Sequence, residues 1–246
     1  MQRKALIVVT SNSNLGNTNQ KTGWFLSEVS HVYWPLHKAG FEITFASPVG
    51  GDAPMEESSL KIDDAENKLF VDKYNISNSL KTISVKEVNP QEFSIIYFAG
   101  GHGTMWDFPG NVDINKVTSE IYENGGIVAA VCHGPSALTD VKLSDGSYLV
   151  EGKRINSFTN AEEKEVEKDD IVPFLLETRL KERGAIFVEG EKWENKVVVD
   201  GRIITGQNPQ SAASLGEAIV RVANQIELSQ SGKSDEDDSL HWVVQT

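Results

Sequence analysis

The apolar residues of this chain fall into short runs, and each run has the length of one buried β-strand. Such runs occupy residues 5–10, 93–99 and Ile127–Val131, in which Thr10 and Ser94 are the only polar residues and Ile127–Val131 is unbroken, while residues 41–46 alternate apolar and polar side chains. Unbroken runs indicate strands buried on both faces, as in a parallel sheet, and alternation indicates a strand with one buried face. The pattern therefore predicts four strands in the first 131 residues.

Segments with helical periodicity separate and follow these strands. In residues 22–38 apolar side chains recur every three or four positions, and Gly40 follows where a C-terminal cap belongs. Pro35 lies inside this pattern and predicts a kink or an interruption. Strands that alternate with helices predict an α/β fold, with a mainly parallel sheet sandwiched by helices. Further helices are predicted at residues 113–123, 135–139 and 171–183, and a last helix opens at 206–212.

Two kinds of segment depart from this alternation. Residues 147–158 predict a hairpin with Glu151-Gly152 at its turn, and residues 197–205 predict a second hairpin. The polar segment 52–89 has weak periodicity, and we interpret it as an insertion packed over one edge of the sheet.

The last twenty residues differ in composition from the rest. From residue 227 the chain is rich in serine, glutamine, glycine and acidic residues, which predicts a disordered acidic tail. Residues 240–244 are mostly apolar and could pack against the folded part of the chain, at a place that the sequence does not indicate. Residues 1–226 are then expected to form a single domain.

Charge and composition narrow the functional class. The formal net charge of −13 argues against nucleic acid or an anionic membrane surface as the main partner. No apolar run approaches the roughly 18 residues of a membrane span, and the N-terminal residues lack a signal-peptide pattern. A single cysteine cannot form an internal disulfide or a cysteine-rich zinc site. We therefore expect a cytoplasmic protein that could also enter the nucleus.

That cysteine, Cys132, directly follows the fourth strand. Gly134 and Pro135 come next and predict a sharp turn into a helix. Backbone N–H groups at the start of a helix favour the thiolate, which is the nucleophilic form of cysteine. The adjacent His133 supplies an imidazole, so Cys132 is a candidate nucleophile. The alternative is an inert core cysteine.

The hexapeptide at 130–135, Ala-Val-Cys-His-Gly-Pro, resembles the nucleophile elbow of the PfpI-like superfamily. The resemblance runs from about residue 5 to about residue 226. It is greatest to the fungal and bacterial branch described as glutathione-independent glyoxalases (glyoxalase III) and heat-shock chaperones. It implies a flavodoxin-like sheet similar to that of class I glutamine amidotransferases, a homodimer, and a small cap formed by residues 52–89 that could narrow access to the site.

The resemblance also implies roles for two acidic residues. Glu28 matches a first-helix glutamate that hydrogen-bonds the nucleophilic sulfur and is held protonated, whereas periodicity alone favours a solvated glutamate there. Glu163 matches the acid that orients the histidine. The preceding residues Asn160, Ala161 and Glu162 depart from the family's usual Asp-hydrophobic-Gly, so Glu162 is the alternative acid. Without the resemblance, we would interpret the highly charged residues 161–170 as a solvent-exposed surface.

The glycine-rich loop at 100–104 follows another predicted strand. Glycines let backbone N–H groups approach a ligand closely, although such a loop by itself is most often a plain turn. The family's Gly-Gly-His-Gly signature implies that Gly101 and His133 donate their N–H groups to an oxyanion. His102 lacks partners at zinc-ligand spacing, so we assign it a structural or substrate-shaping role and predict no metal site.

The resemblance implies that Cys132 attacks methylglyoxal, with glyoxal as a further substrate, and that water releases D-lactate without any cofactor. A different interpretation is a holdase chaperone that binds unfolded client proteins, with Cys132 as an oxidation sensor. An amidotransferase or a peptidase is a weaker alternative. An amidotransferase of the related fold takes its histidine from a distant segment, whereas His133 directly follows the nucleophile.

Overall fold

The computed structural model describes residues 3–232 and the segment Val243–Val244. Its strands are β1 (Lys4–Val8), β2 (Glu42–Ser47), β3 (Gly51–Pro54), β4 (Ser79–Ser84), β5 (Ile95–Phe98), β6 (Ile127–Val131), β7 (Arg154–Ile155), β8 (Ile186–Phe187), β9 (Val197–Asp200), β10 (Ile203–Gly206) and β11 (Val243–Val244). Its α-helices are α1 (Leu26–Lys38), α2 (Glu57–Leu60), α3 (Ala65–Tyr74), α4 (Thr104–Asp107), α5 (Val112–Glu123), α6 (Asn160–Glu165), α7 (Leu176–Glu182) and α8 (Ala212–Gln230). Short 3₁₀-helices occupy Val85–Glu87, Pro90–Glu92, Gly134–Leu138 and Pro209–Ser211.

Nine of the described strands form one sheet in the order β11-β9-β10-β6-β5-β1-β2-β4-β3. The six strands from β10 to β4 run parallel, whereas β9 is antiparallel to β10 and β3 is antiparallel to β4. The predicted mainly parallel, flavodoxin-like sheet is therefore confirmed. Because the strand order reverses beside β1, the carboxyl ends of β1, β5 and β6 open onto one crevice, where α/β folds bind ligands.

Each face of the sheet carries its own hydrophobic layer. Along β1, Ala5 and Ile7 join one buried cluster, while Leu6 and Val8 join the other. The first cluster includes apolar residues of α1 and α8, and the second includes those of α5 and α7. This two-sided burial explains why the central strands are continuously apolar. Within the described ranges, no helix is both long and apolar enough to cross a membrane.

Helix α1 continues through Pro35, so the predicted interruption is wrong. Proline has no N–H to offer the carbonyl group of His31, four residues earlier. At this point Gly216 of α8 packs directly against α1, and a Cβ atom there would lie 2.8 Å from the His31 carbonyl oxygen. We attribute the continuity of α1 to this close packing on α8.

The two predicted hairpins have different outcomes. The second is confirmed, since β9 and β10 pair antiparallel around Gly201. The first is wrong, because β7 pairs in parallel with β8 instead of with the chain before Gly152. Leu149 and Val150 are buried in the second hydrophobic cluster, so their apolar character reflects core packing and not strand pairing.

The segment 52–89 extends the sheet as well as packing beside it. Strands β3 and β4 add an antiparallel pair next to β2, while α2 and α3 pack against α1. At the other end of the chain, α8 continues through residues 227–230, which were predicted to belong to the tail. Strand β11 pairs antiparallel with β9. The rest of the predicted tail, residues 233–242 and 245–246, lies outside the described residues.

Candidate active site

Cys132 lies at a sharp turn at the carboxyl end of β6. Its φ of +58° falls in the left-handed region that non-glycine residues rarely adopt. Two hydrogen bonds hold the backbone there: the Cys132 N–H donates to the Gly206 carbonyl at 3.0 Å, and the Phe158 N–H donates to the Cys132 carbonyl at 2.8 Å. Gly134 completes the turn, since a Cβ atom at this position would lie 2.2 Å from the Phe98 oxygen. The strain points to a functional position.

A chain of hydrogen bonds runs from this cysteine to Glu163. The Cys132 Sγ lies 3.3 Å from Nδ1 of His133, and Nε2 of His133 lies 2.6 Å from Oε2 of Glu163. The second carboxylate oxygen, Oε1, lies 2.6 Å from Nε2 of His102. The structure thus brings together Cys132, His133 and Glu163, three of the four residues expected to act in catalysis, and adds His102, for which this contact was not foreseen.

The shared carboxylate determines which nitrogen of His133 carries a proton. An ionised carboxylate only accepts hydrogen bonds, so both imidazoles donate from Nε2 to Glu163. In its neutral form His133 then has an unprotonated Nδ1 facing the Cys132 sulfur. This arrangement lets His133 take the thiol proton while Glu163 stabilises the resulting imidazolium.

Burial and the neighbouring charges together determine the protonation states of Glu163 and His102. Burial opposes ionisation of Glu163, but the two imidazoles that face it hold the pKa of its carboxyl group below the ordinary value. Burial, with the neighbouring His133 adding to it, lowers the pKa of His102 to about 4. His102 is therefore a neutral donor at physiological pH.

The adjacent Glu162 has a different set of partners. Its carboxylate accepts hydrogen bonds from the Trp193 N–H at 3.0 Å and from Asn208 Nδ2 at 2.9 Å, and it is fully buried. These bonds fasten the loops around residues 193 and 208 to the start of α6. Of the two candidate acids, only Glu163 reaches His133.

Glu28 lies on the opposite side of the sulfur, on α1. Its side chain is fully buried, one carboxyl oxygen accepts the Gly100 N–H at 2.5 Å, and the Tyr97 hydroxyl donates to its backbone carbonyl at 2.6 Å. Burial raises its pKa to about 8, against the smaller opposing effects of the Gly100 N–H and of the Cys132 thiol. The solvated position that periodicity favoured is wrong, because this face of α1 packs on the sheet.

The thiol of Cys132 is not poised as a free thiolate. Burial is the main reason that its pKa lies well above the ordinary value, and any negative charge on Glu28 or Glu162 adds to this shift. We expected the helix after Cys132 to favour the thiolate. That element is the five-residue 3₁₀-helix Gly134–Leu138, which offers little aligned dipole to offset burial. A reaction at this sulfur therefore requires a base, and Nδ1 of His133 lies within reach of the thiol proton.

Two backbone N–H groups beside the sulfur are available to a ligand. Neither Gly101 nor His133 uses its N–H in a hydrogen bond with any described residue, and both residues line the cavity. Gly101 has a φ of +103°, and a Cβ atom there would lie 2.0 Å from the carbonyl oxygen of Gly23. Glycine is thus required at this position. The pair can donate to an oxygen atom bound next to Cys132.

A cavity of about 430 Å³ gives access to these groups. The segment 52–89 contributes Glu56, Ser58 and Ile62 to its wall. Apolar side chains on other segments contribute Phe158 and Trp193. Cys132 and His133 therefore lie in a recess that the insertion partly encloses.

Sequence reasoning missed Trp193. This residue has a φ of +63°, and its ring packs edge-on against Phe158 with centroids 5.5 Å apart. The bond from its N–H to Glu162 holds this unusual backbone in place. No periodicity marks the loop that carries it, so the sequence offered no signal.

The three groups that meet at Glu163 also suit a metal ion. One nitrogen each of His102 and His133 and one oxygen of Glu163 lie within 4.8 Å of one another. Two imidazoles and a carboxylate form a common zinc ligand set, and an ion there would replace the hydrogen bonds described above. The sequence had predicted no metal site.

Known proteins resemble the chain over most of its length. A profile of the DJ-1/PfpI family matches residues 23–222. Glyoxalase 3 of Candida albicans is 33% identical over 231 residues, which cover 88% of this chain and 97% of that protein. The glutathione-independent glyoxalase HSP31 of Saccharomyces cerevisiae is 36% identical over 225 residues, covering 86% and 94%. The crystal structure of glyoxalase III from Candida albicans matches with a TM-score of 0.82 at 31% identity, covering 90% of this chain and 97% of that chain.

Proposed function

The chain belongs to the DJ-1/PfpI family, and on that basis we propose that it is a glutathione-independent glyoxalase that converts methylglyoxal and water to D-lactate. The observation that carries the proposal is the chain of contacts from Cys132 through His133 to Glu163 inside the cavity. Because Cys132 supplies the thiol, the reaction requires no glutathione. Glyoxal, which lacks only the methyl group, is a second substrate of the same chemistry.

The first step adds the Cys132 sulfur to the aldehyde carbon of methylglyoxal. His133 accepts the thiol proton at Nδ1, which lies 3.3 Å from the sulfur, and Glu163 stabilises the imidazolium. The new C–S bond makes the aldehyde oxygen an alkoxide. The N–H groups of Gly101 and His133 donate to this oxygen. The His133 imidazolium then returns its proton to the alkoxide, which gives a hemithioacetal and leaves His133 neutral for the next step.

The second step moves a proton within the bound substrate. His133 removes the proton from C1 and returns one to C2 through an enediol-like intermediate, which turns the hemithioacetal into a thioester of lactate. Water then attacks the thioester carbon, the C–S bond breaks, and the Cys132 thiol is regenerated with lactate as product. Carbon, oxygen and electrons balance, because the aldehyde is oxidised by the adjacent ketone.

Glu28 contributes by being uncharged. With a pKa raised by burial to about 8, its carboxyl is largely protonated at neutral pH. A neutral carboxyl does not repel a developing thiolate and can donate a hydrogen bond to it. An ionised carboxylate in the same place would oppose the first step.

Proton NMR of the purified protein with methylglyoxal and no added thiol tests the proposal. We expect D-lactate, with the enantiomer assigned by a stereospecific lactate dehydrogenase, and none from Cys132→Ala. Lactate formation at only the buffer rate would refute the proposal. Release of ammonia from glutamine, or cleavage of peptides that is lost with Cys132, would instead support an amidotransferase or a peptidase.

We also propose a homodimer, as the resemblance to the family suggests, and the binding of unfolded client proteins as a second activity. Exposed apolar side chains on and after α2, at Leu60 and Ile62, offer a surface for such clients. Sedimentation equilibrium tests the dimer. Suppression of the aggregation of a heated client protein tests the second activity, and replacing both residues with serine should weaken that suppression.

A further inference from the structure

The cavity beside Cys132 is larger than methylglyoxal requires. Its volume is about 430 Å³. Methylglyoxal has five non-hydrogen atoms, and five water molecules take roughly 150 Å³ in the liquid. A substrate with a longer carbon chain would fill space that methylglyoxal leaves to water. The polar groups around that space indicate which chemical group would complete such a substrate.

Lys168 provides a positive charge at the cavity wall. Its side chain lines the cavity and forms no ion pair with any described residue, although Asp169 and Asp170 follow it directly. The positive charge of Lys168 also lowers the pKa of His102. Burial is the main cause of the low pKa of His102, and the charges of His133 and Lys168 add to it.

The backbone holds Lys168 in a fixed relation to Glu163. The Lys168 N–H donates to the Glu163 carbonyl at 3.1 Å, and the Glu167 N–H donates to the Lys164 carbonyl at 3.1 Å. These two bonds and the left-handed φ of +56° at Glu167 form a Schellman motif at the end of α6. The helix that carries the catalytic acid therefore also positions this lysine.

Ser27 is a second group without a protein partner. Its side chain is only 6% exposed and lines the same cavity, yet its hydroxyl makes no hydrogen bond to a described residue. Buried hydroxyl groups are normally paired, so this one is available to a ligand. Ser27 also lies in the first turn of α1, where unpaired backbone N–H groups favour negative charge.

The carboxyl groups near the cavity do not prevent an anion from binding there. Glu28 is mostly neutral at pH 7, because burial raises its pKa to about 8. Glu163 does not itself line the cavity, and it faces two imidazole donors. Glu56 is the other carboxylate of the lining, and it accepts a hydrogen bond from Ser58 at 3.2 Å. It forms no ion pair with Lys168, so an anion held by Lys168 is not in direct competition with it.

From these features we infer that the site prefers 2-oxoaldehydes that carry a carboxylate at the far end of the carbon chain, with Lys168 and the Ser27 hydroxyl binding that carboxylate. This inference rests on the proposed glyoxalase function and specifies its substrate class. The chemistry at Cys132 is unchanged: the aldehyde carbon is oxidised, the adjacent ketone is reduced, and water is taken up. The product is a 2-hydroxy acid with a second carboxylate.

Two probes of equal chain length test the inference: 4,5-dioxopentanoate and its uncharged methyl ester. We expect wild type to favour the carboxylate probe in kcat/KM, and we expect Lys168→Gln to lower the ratio of the two values roughly fivefold, as for a partly exposed ion pair. Ser27→Ala should lower the ratio less. The matched control is Lys164→Gln at an exposed lysine on α6, four residues before Lys168, which should leave the ratio unchanged. High salt should reduce the preference of wild type.

The outcomes separate this inference from the proposed function. If wild type forms D-lactate from methylglyoxal but treats both probes equally, the substrate preference is wrong and the glyoxalase proposal stands. The same conclusion follows if Lys168→Gln and Lys164→Gln change the ratio alike. If wild type converts neither probe nor methylglyoxal, the proposed function itself fails.

Discussion

Two buried glutamates flank the Cys132–His133 pair, and their surroundings drive them to opposite protonation states. Glu28 accepts one backbone N–H and lies beside the Cys132 thiol, with no cationic partner among the described residues, so burial raises its pKa to about 8. Glu163 is also buried, but two imidazoles face its carboxylate and hold its pKa below the ordinary value. The comparison shows that the number and charge of the partners, and not burial alone, decide whether a buried carboxyl is ionised.

This difference matches the needs of the two neighbouring groups. In the proposed first step the sulfur of Cys132 becomes negative, so a neutral acid beside it avoids repulsion. The imidazole of His133 becomes positive in the same step, so an ionised acid beside it is stabilising. Exchanging the two protonation states would oppose both charge changes.

Cys132→Ala removes the proposed nucleophile, so we expect the largest effect from this variant. The rate of D-lactate formation should fall by about 10⁴-fold or more, as for other nucleophile deletions. Suppression of client aggregation should remain nearly intact, because it does not need the thiol. Loss of both activities in a folded variant would show that they share one site.

The charge of Glu163 is tested by Glu163→Gln, which keeps the shape but cannot stabilise an imidazolium. We expect kcat to fall roughly 10³- to 10⁴-fold, measured by the same lactate assay. The neighbour Glu162 gives the matched control. Glu162→Gln should keep kcat within about tenfold of wild type, while its free energy of unfolding falls by about 1–3 kcal/mol through weakened loop contacts. A reversal of the two results would make Glu162 the orienting acid.

The protonation of Glu28 predicts a specific dependence of stability on pH. An unfolded glutamate loses its proton near pH 4.5, whereas folded Glu28 does so near pH 8. Between these values the unfolded state binds fewer protons, so this residue should make wild type less stable as pH rises, by about 1.4 kcal/mol per pH unit.

Glu28→Gln cannot ionise and should lack that decline. Urea unfolding at pH about 5 and about 7.5 should therefore show the variant gaining stability relative to wild type at the higher pH. The exposed residue Glu57, replaced by glutamine, serves as the control. A constant difference between Glu28→Gln and wild type would contradict a raised pKa.

The smallest effect is expected from His102→Asn, which removes one of the two imidazoles from Glu163. His133 would still be oriented, so we expect kcat to fall only about tenfold. The acid limb of the kcat profile should shift upward, because Glu163 loses one of the groups that hold its pKa down. An unchanged pH profile would mean that His102 does not act through Glu163.

Much of the fold could be predicted because local patterns and tertiary burial agree. Strands β1, β5 and β6 are buried on both faces, and their apolar runs reflect this directly. The failures arise where tertiary contacts override a local rule. Pro35 remains helical because α8 packs against it, and β7 pairs with a strand about 30 residues further along the chain.

The residues of the site were predictable to different degrees, depending on how clearly the local sequence marks each of them. Cys132 and His133 are adjacent and lie at the end of a recognisable strand, so the sequence pointed to both. Glu163 required the resemblance to the family, because an acidic segment otherwise suggests a solvated surface. The contact between His102 and Glu163 joins a loop and a helix at positions 61 residues apart in the sequence. A signal for it existed, since His102 closely follows β5, which is the neighbour of β6 in the sheet.

The most direct test of the paired protonation states is a ¹³C NMR titration of protein labelled at the glutamate side-chain carboxyl carbons. Spectra of Glu28→Gln and Glu163→Gln assign the two resonances. We predict that the Glu28 carbon titrates near pH 8, while the Glu163 carbon remains that of a carboxylate as the pH falls below 4.5. A Glu28 resonance that is already ionised at pH 6, or a Glu163 resonance that titrates at or above its ordinary value, would contradict the account.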